Sequence, residues 1–455
     1  MYAYAATDPR LARGRYFYPP FGGSAFLVAY RDERAAVLTR LAVARPDRGS
    51  APATPPARPG PLPRPGDGDV VTTELLLAAA ASDVASIAPW LAILTRKYEV
   101  GRVLRASYDR DLRPIDRSEI PLDSYALFAA LLARRAGSDP AAPDLGTLSS
   151  LLKVGDLLCH ALRVEPGVLS SAGAAAAREA FTSELALVDA VSARGRHRPP
   201  VADEARTVWA DARGVAATRN AAPASSGVTL LASDTARARA YLHLLAADGL
   251  QPDRAILVEL AGAPTAGQPR PTPLFDNVTQ LVDALARAAV PTTRFEVERL
   301  EDAAVLAALA GNGPGAGAGT VVVAAPSGVI LAPAFFRVPG ARYLHVHPGR
   351  LPAYRGSTPM YYELLAEGRL TATALFLDEG IDTGTIVAAQ GFAPPADLTS
   401  IDQSFDPWMR AVLMRNVIRA MAAGEAVSGQ PQEPGEGRTY FVIHPVLRHV
   451  ALLGR

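Results

Sequence analysis

The chain has 455 residues, more than the ~100–200 residues of one ordinary domain, so two or three folding units are expected. With 46 Lys and Arg against 45 Asp and Glu, the net charge of +1 gives no electrostatic reason to expect nucleic acid or an anionic membrane as a partner. The single cysteine, Cys159, excludes a disulfide within the chain and a cysteine-rich zinc site. The sequence shows neither a signal-peptide pattern nor an apolar run of ~20 residues, and this favours a soluble cytoplasmic protein.

The first 47 residues are predicted to contain a small β-hairpin. Apolar runs at 24–30 and 35–44 flank the charged sequence RDER at 31–34, which is typical of a turn between two strands. Residues 48–69 consist mostly of Pro, Ala, Gly and Arg, and this composition buries too little apolar surface to order itself. We therefore expect a Pro-rich linker after the hairpin.

Residues 70–200 are predicted to form a helical domain of unknown role. Long runs rich in Ala and Leu occur at 74–95, 123–135, 147–162 and 173–193. Cys159 and His160 could suggest a nucleophile with its base, but neighbouring residues on a helix point in directions ~100° apart. A free cysteine usually packs as a small apolar side chain, so core or surface roles are expected for both residues.

Residues 227–395 have the pattern of an α/β domain. Predicted strands at 227–233, 254–260, 292–297, 320–325, 343–348 and 372–377 alternate with predicted helices at 235–248, 277–289, 301–310 and 359–367. This alternation predicts right-handed βαβ units in a mostly parallel sheet. Ligands of such sheets bind outside the carboxyl ends of the strands, so residues 322–326, 343–348 and 375–382 are expected to deliver a site there. Residues 396–455 are predicted to form a C-terminal helix and tail.

The stretch 343–384 carries the candidate chemistry. Side chains on a strand alternate between its two faces, so His345 and His347 are expected on one face. A polar loop, a helix and a further strand then lead to the acidic turn DEGIDTG at 378–384, which contains Asp382. Two imidazoles and one carboxylate suit acid–base chemistry. As an alternative, they have the makings of the two-histidine, one-carboxylate set of metal-dependent hydrolases or oxygenases.

The sequences HPGRLPAYRGSTP at 347–359 and DEGIDTG at 378–384 resemble the signature of the folate-dependent formyltransferases. This group includes the glycinamide ribonucleotide, methionyl-tRNA and sugar N-formyltransferases, and the resemblance covers residues 227–392. It implies a Rossmann-like sheet, 10-formyltetrahydrofolate as cofactor and an amine as acceptor. The family's catalytic histidine falls on His347 and its catalytic aspartate on Asp382, whereas His345 stands where the family has asparagine.

The same resemblance implies a set of residues that hold the pterin of the folate: Ile330, Leu331, Glu379 and Ile381. Core packing is an equally good interpretation of the two apolar residues at 330 and 331.

Formyl transfer needs a donor to the oxyanion and a route for the proton of the amine. His347 is expected to supply the donor or acid, and Asp382 to hold it charged and relay the proton through water. A neutral imidazole N–H of His345 is expected to replace the amide of the family, because two adjacent imidazolium charges would repel. The tail after the predicted helix 401–423 is too short for the β-barrel that grips tRNA in some family members. We therefore expect a small-molecule amine and no nucleic acid, with a non-catalytic formyltransferase-like binding module as an alternative.

Overall fold

The computed structural model of the protein describes residues 25–43, 122–139, 142–164, 169–195, 224–261, 269–310, 320–326, 330–398, 401–433 and 435–453. The chain divides into two compact units. Unit 1 combines Met1–Arg198 with Ile443–Arg455, and unit 2 is Pro199–Val442. The predicted linker at 48–69 and the predicted helix at 74–95 lie outside the described residues. None of the described helices combines the length and the apolar character needed to cross a membrane.

The described part of unit 1 is helical. It contains α1 Ala25–Val43, α2 Leu122–Ala136, α3 Leu145–Val164, α4 Ser171–Gly195 and the C-terminal helix Pro445–Leu453. Three of the helical runs predicted in residues 70–200 are thereby confirmed as helices.

Helix α1 corrects the predicted β-hairpin, which is wrong for residues 25–43. Its buried side chains recur every three or four residues, the spacing of one helix face: Leu27, Tyr30, Arg34, Val37 and Leu41. The charged sequence at 31–34 had suggested a turn because it separates two apolar runs. Arg34 is instead fully buried and belongs to the packed face of the helix.

A buried network of charged and polar side chains holds unit 1 together. The guanidinium of Arg34 donates from Nη2 to Asp156 (2.6 Å) and from Nε to Glu184 (2.8 Å). The hydroxyl of Tyr30 donates to Glu184 at 2.7 Å, and His444 Nε2 lies 3.0 Å from Asp156. Buried charges are tolerated when they are paired in this way.

Cys159 belongs to the same buried region. Its Sγ lies 3.2 Å from Arg34 Nη1, and burial raises the pKa of the thiol to about 12. A thiol held in its protonated form is a poor nucleophile, which agrees with the packing role expected for Cys159.

Unit 2 is an α/β domain. Its strands are β1 Ala224–Ser225, β2 Val228–Ala232, β3 Leu250–Gln251, β4 Arg254–Leu260, β5 Thr292–Val297, β6 Val321–Ala325, β7 Arg342–His347, β8 Arg355–Gly356, β9 Leu370–Phe376, β10 Thr385–Phe392 and β11 Thr439–Tyr440. Its helices are α5 Ala236–Ala247, α6 Leu281–Arg287, α7 Ala303–Ala310, α8 Pro359–Glu367 and α9 Phe405–Ala422.

Seven strands form the main sheet in the order β10–β9–β7–β6–β2–β4–β5. The five strands from β7 to β5 pair in parallel, which confirms the mostly parallel sheet. Strands β2 and β6 are buried along their whole length and apolar except for Thr229, as expected of central parallel strands covered on both faces. The strand order reverses between β2 and β6, and ligands of open α/β sheets bind at such a switch point.

Strand β9 runs antiparallel to β7, and β10 runs antiparallel to β9. The expectation that residues 375–382 leave a parallel strand at its carboxyl end is therefore wrong. Asp382 lies instead in the turn that joins the antiparallel pair β9 and β10.

Candidate active site

His347 lies at the end of β7, where its ring is enclosed by two oxygen acceptors. Nε2 is 2.6 Å from the backbone oxygen of Tyr354, and Nδ1 is 3.3 Å from Oδ2 of Asp382. The side chain is only 2% exposed. A backbone carbonyl only accepts, so Nε2 carries a hydrogen, and the carboxylate at Nδ1 suits a second one. The ring is thus placed to carry an imidazolium charge with Asp382 as its counter-ion.

A glycine lets the loop after β7 close over this ring. A Cβ at Gly349 would lie 3.2 Å from Nε2 of His347 and 3.1 Å from the backbone oxygen of Tyr354. These separations are tighter than ordinary contacts, so a side chain at this position would push the loop away from the ring. The Pro348–Gly349 sequence that ends the strand therefore also allows the acceptor at Tyr354 to reach His347.

Asp382 is held in an unusual backbone conformation beside His347. Its φ of +54° lies in the left-handed region, and its Oδ2 accepts a hydrogen bond from the backbone N–H of Gly356 at 2.8 Å. Burial alone would raise the pKa of this carboxyl, but the charge and hydrogen bond of His347 lower it to about 2. The carboxylate is therefore ionised at neutral pH, and 15% of the side chain is exposed.

His345 lies on the same strand but is bound differently. Strand β6 pairs with β7 only as far as Leu344, and beyond that point His345 Nδ1 donates to the backbone oxygen of Ala324 at 3.0 Å. Burial, together with the charges of Arg237 and Arg410, lowers the pKa of His345 to about 3. The ring is therefore neutral, and its Nε2 carries a lone pair. The N–H that was expected to replace the amide of the family points at the protein's own backbone.

Two arginines near His345 were missed in the sequence. Arg410 on α9 forms a bidentate ion pair with Asp406, with two 3.0 Å contacts, and donates to the backbone oxygen of Val346 at 3.1 Å. Arg237, in the first turn of α5, donates to the backbone oxygen of Pro326 at 2.6 Å. Burial and the charge of Arg410 lower the pKa of Arg237 to about 10. The only sequence signal was the Asp–Arg spacing of four residues at 406 and 410, which is common on helices.

The four residues predicted to hold the pterin lie in different environments. Ile330 is 69% exposed, Ile381 is 41% exposed, and Glu379 is also exposed. Leu331 is buried and packs in the apolar cluster that includes Phe335, so its position matches the core-packing interpretation. Among the described residues, only five large apolar side chains are exposed, and Ile330 and Ile381 are two of them. These two side chains are available to an apolar ring.

The predicted metal set does not form a cluster. In the described ranges, no three His, Cys, Asp or Glu side chains are arranged to hold a metal ion. Both ring nitrogens of His347 face protein oxygens, and Nδ1 of His345 faces a carbonyl. A two-histidine metal site needs one ring nitrogen from each histidine, and both nitrogens of His347 are already taken by these contacts.

Comparison with known proteins gives a family match in the part of the chain that contains this site. Residues 278–400 match the family model described as formyl transferase. The methionyl-tRNA formyltransferase of Chloroflexus aggregans is 36% identical over 143 residues, which cover 30% of this chain and 44% of that protein. The corresponding enzyme of Clavibacter michiganensis is 30% identical over 181 residues, which cover 39% of this chain and 55% of that protein.

Among solved structures, a sugar N-formyltransferase from a Shewanella species aligns with a TM-score of 0.33 and 14% identity. That alignment covers 50% of this chain and 86% of the other chain. The chain spans about half the length, or less, of the two curated relatives above.

Proposed function

We propose, on the premise that residues 278–400 belong to the formyl transferase family, that this protein is a one-carbon transferase. It would transfer a formyl group from 10-formyltetrahydrofolate to the amine of a small-molecule acceptor. The observation that carries the proposal is the pair formed by His347 and Asp382, with 3.3 Å between ring nitrogen and carboxylate oxygen. In the same site, the neutral His345 presents a lone pair.

The reaction has a simple balance. A bond forms between the amine nitrogen and the formyl carbon, the bond from that carbon to the folate nitrogen breaks, and a proton moves from the amine to the departing nitrogen. The positive charge on His347 would stabilise the negative charge that develops on the formyl oxygen, because a preorganised charge in a dry site costs no reorganisation. The partly exposed carboxylate of Asp382 would stay ionised, keep His347 charged and help to relay the amine proton through water to the departing nitrogen.

His345 has a different role in this proposal from the amide that it replaces. Its Nε2 would accept a hydrogen bond from an N–H of the incoming amine and so direct the amine lone pair towards the formyl carbon. The charges of Arg237 and Arg410, which add to burial in keeping His345 neutral, also disfavour a bound ammonium ion. The site would therefore select the uncharged form of the acceptor, which is the reactive form.

The formyl donor would be held by side chains whose exposure otherwise has no packing explanation. Ile330 and Ile381 would contact the faces of the pterin, and Glu379 would accept hydrogen bonds from its polar edge. Leu331 would pack behind these side chains as part of the apolar core. The fit rests on exposed apolar area, which the planar faces of the pterin ring would cover favourably.

A small-molecule acceptor is the part of the proposal that the relatives leave open, because the curated relatives are named for action on methionyl-tRNA. The net charge of +1 supports a small amine, since the affinity of proteins for nucleic acids depends on neutralising phosphates with Lys and Arg. An acceptor panel should therefore contain nucleotide-linked amino sugars, amino acids and methionyl-tRNA.

The test is release of tetrahydrofolate from 10-formyltetrahydrofolate by the purified full chain in the presence of each acceptor. We expect release with one class of small amine, a loss of about 10²–10³-fold in His347→Ala, and no loss in the matched control His243→Ala, an exposed histidine of the same unit. Inhibition by a chelator would favour the metal hydrolase or oxygenase. Folate binding without transfer to any acceptor would favour the binding module, and absence of folate binding would contradict the proposal.

A further inference from the structure

A segment far along the sequence packs against the loop and turn of the candidate site. We name residues 425–433 and 435–442 the strap. Strand β11 in the strap pairs in parallel with β8 in the loop after β7, and Gln430 forms a backbone bridge with Ile386 at the start of β10. Backbone N–H groups of Arg355 and Ser357 donate to strap carbonyls at 2.9 and 2.8 Å. The strap therefore contacts both chain segments that surround Asp382.

Gln432 of the strap connects these two segments through one side chain. Its Nε2 donates to the backbone oxygens of Asp382 and Gly384, both at 2.8 Å. Its Oε1 accepts from Nε and Nη2 of Arg355, at 3.0 and 2.7 Å. Both donor hydrogens and both lone pairs of the amide are thus used, which is the full hydrogen-bonding capacity of a glutamine side chain.

Both ends of this amide act on Asp382. On one side, two hydrogen bonds hold the backbone of the turn in which Asp382 has its left-handed φ of +54°, a conformation that costs a non-glycine residue stability. On the other side, Arg355 is held next to Gly356, and the N–H of Gly356 donates to the Asp382 carboxylate. Gln432 thereby fixes both the backbone that carries the carboxylate and the donor that orients it.

We propose that Gln432 is the positioning residue of the His347–Asp382 pair. It touches none of the reacting atoms of the proposed transfer and acts by holding the Asp382 carboxylate opposite Nδ1 of His347. Its kinetic consequence rests on the proposed function, whereas its effect on the geometry of the pair does not. Glutamine fits because only an amide combines two donors for the carbonyls with an acceptor for the guanidinium.

The test compares Gln432→Glu with the control Gln430→Glu, which makes the same charge change two residues away. Gln430 is exposed and pairs through its backbone. Glutamate at 432 keeps the shape and the contact with Arg355, but it turns two donating contacts into repulsion between oxygens. Gln432→Met, which removes all the side-chain hydrogen bonds without adding charge, serves as a second variant if the first does not fold.

We expect kcat to fall by about 10–100-fold in Gln432→Glu, with KM values changed by less than about threefold, because misplacing a catalytic group acts on the chemical step. Gln430→Glu should retain the wild-type kcat. The readout independent of turnover is the ring-nitrogen NMR signal of His347, assigned by its loss in His347→Ala. This signal should shift in both variants at position 432 and stay unchanged in the control.

The outcomes separate this inference from the proposed function. A shifted His347 signal in a protein that transfers no formyl group would support the positioning role and contradict the transfer. An active wild type whose His347 signal and kcat are the same in Gln432→Glu or Gln432→Met would overturn the positioning role alone. A loss of kcat of equal size in Gln430→Glu would also overturn it, because the strap as a whole would then be responsible.

Discussion

The neutral state of His345 leads to a prediction about stability. A histidine ordinarily titrates near 6.5, whereas burial and the charges of Arg237 and Arg410 lower the pKa of His345 to about 3 in the folded protein. Between these two values the unfolded chain binds a proton that the folded ring does not bind. The stabilisation is therefore complete above about pH 6.5 and is lost as the pH falls towards 3.

The size of this effect follows from the same two values. At pH 4.5, about two units below the ordinary pKa, the loss is at most about 2.7 kcal/mol in the free energy of unfolding. About half of that is expected, because solvent reaches part of the ring. In His345→Asn this contribution is absent, so the free energy of unfolding should depend less on pH between 4.5 and 7.5.

Urea unfolding measured by the fluorescence of Trp408 reports on unit 2 alone if Trp90 and Trp209 are first replaced by Phe. Trp408 is 2% exposed and packs against Phe392. The control is His243→Asn. Burial also lowers the pKa of this histidine of the same unit, but its side chain is exposed, so its loss should change the pH dependence by less than His345→Asn does. Identical pH dependence in His345→Asn and wild type would show that the folded ring takes up a proton, and this would refute the neutral acceptor.

Two further predictions concern the His347–Asp382 pair and the side chains proposed to hold the pterin. Asp382→Asn keeps an oxygen acceptor for the N–H of Gly356 but removes the counter-charge of His347. We expect kcat/KM for formyl transfer to fall by about 10²–10³-fold, with the circular dichroism spectrum of the wild type retained. A wild-type rate would contradict the proposed route of the proton. Leu331→Ala should lower the free energy of unfolding in urea by about 2–4 kcal/mol, because the side chain is only 7% exposed. Ile330→Ala should change that free energy by less than about 0.5 kcal/mol but weaken folate binding in a titration. The opposite ranking of the two variants would reverse the assigned roles.

The strands of unit 2 were predictable because their signal is local. The predicted bounds 254–260 and 292–297 coincide with β4 and β5, and the predicted helix 359–367 coincides with α8. Strand β10 was missed because most of its side chains are half-buried and its pairing with β9 shifts register between Ile386 and Ala388. Such a strand has neither a continuous apolar run nor a clean alternation.

Helix α1 was mistaken for a hairpin for a related reason. A buried arginine looks like a solvent-exposed turn residue when the sequence is considered alone. The partners that make the burial of Arg34 tolerable are more than a hundred residues away, at Asp156 and Glu184. Long-range ion pairs of this kind leave no local pattern.

The candidate site divides in the same way. The proximity of His347 and Asp382 could be predicted because each belongs to a short sequence that resembles a family signature. Arg237, Arg410 and Gln432 could not, because each acts through tertiary contacts with backbone atoms of distant segments. The tautomer of His345 could not be predicted from the sequence either, because it depends on the carbonyl of Ala324 on a neighbouring strand.

The network that holds unit 1 together has a consequence for synthesis on the ribosome. His444 donates its backbone N–H to Ser149 at 2.8 Å and faces Asp156 at 3.0 Å, yet it is made after all of unit 2. Helices α1 to α4 therefore leave the ribosome first, but His444, a partner of Asp156, is made only after more than two hundred further residues. Because domains generally fold as they emerge, unit 2 is expected to reach its native state before the unit that begins the chain.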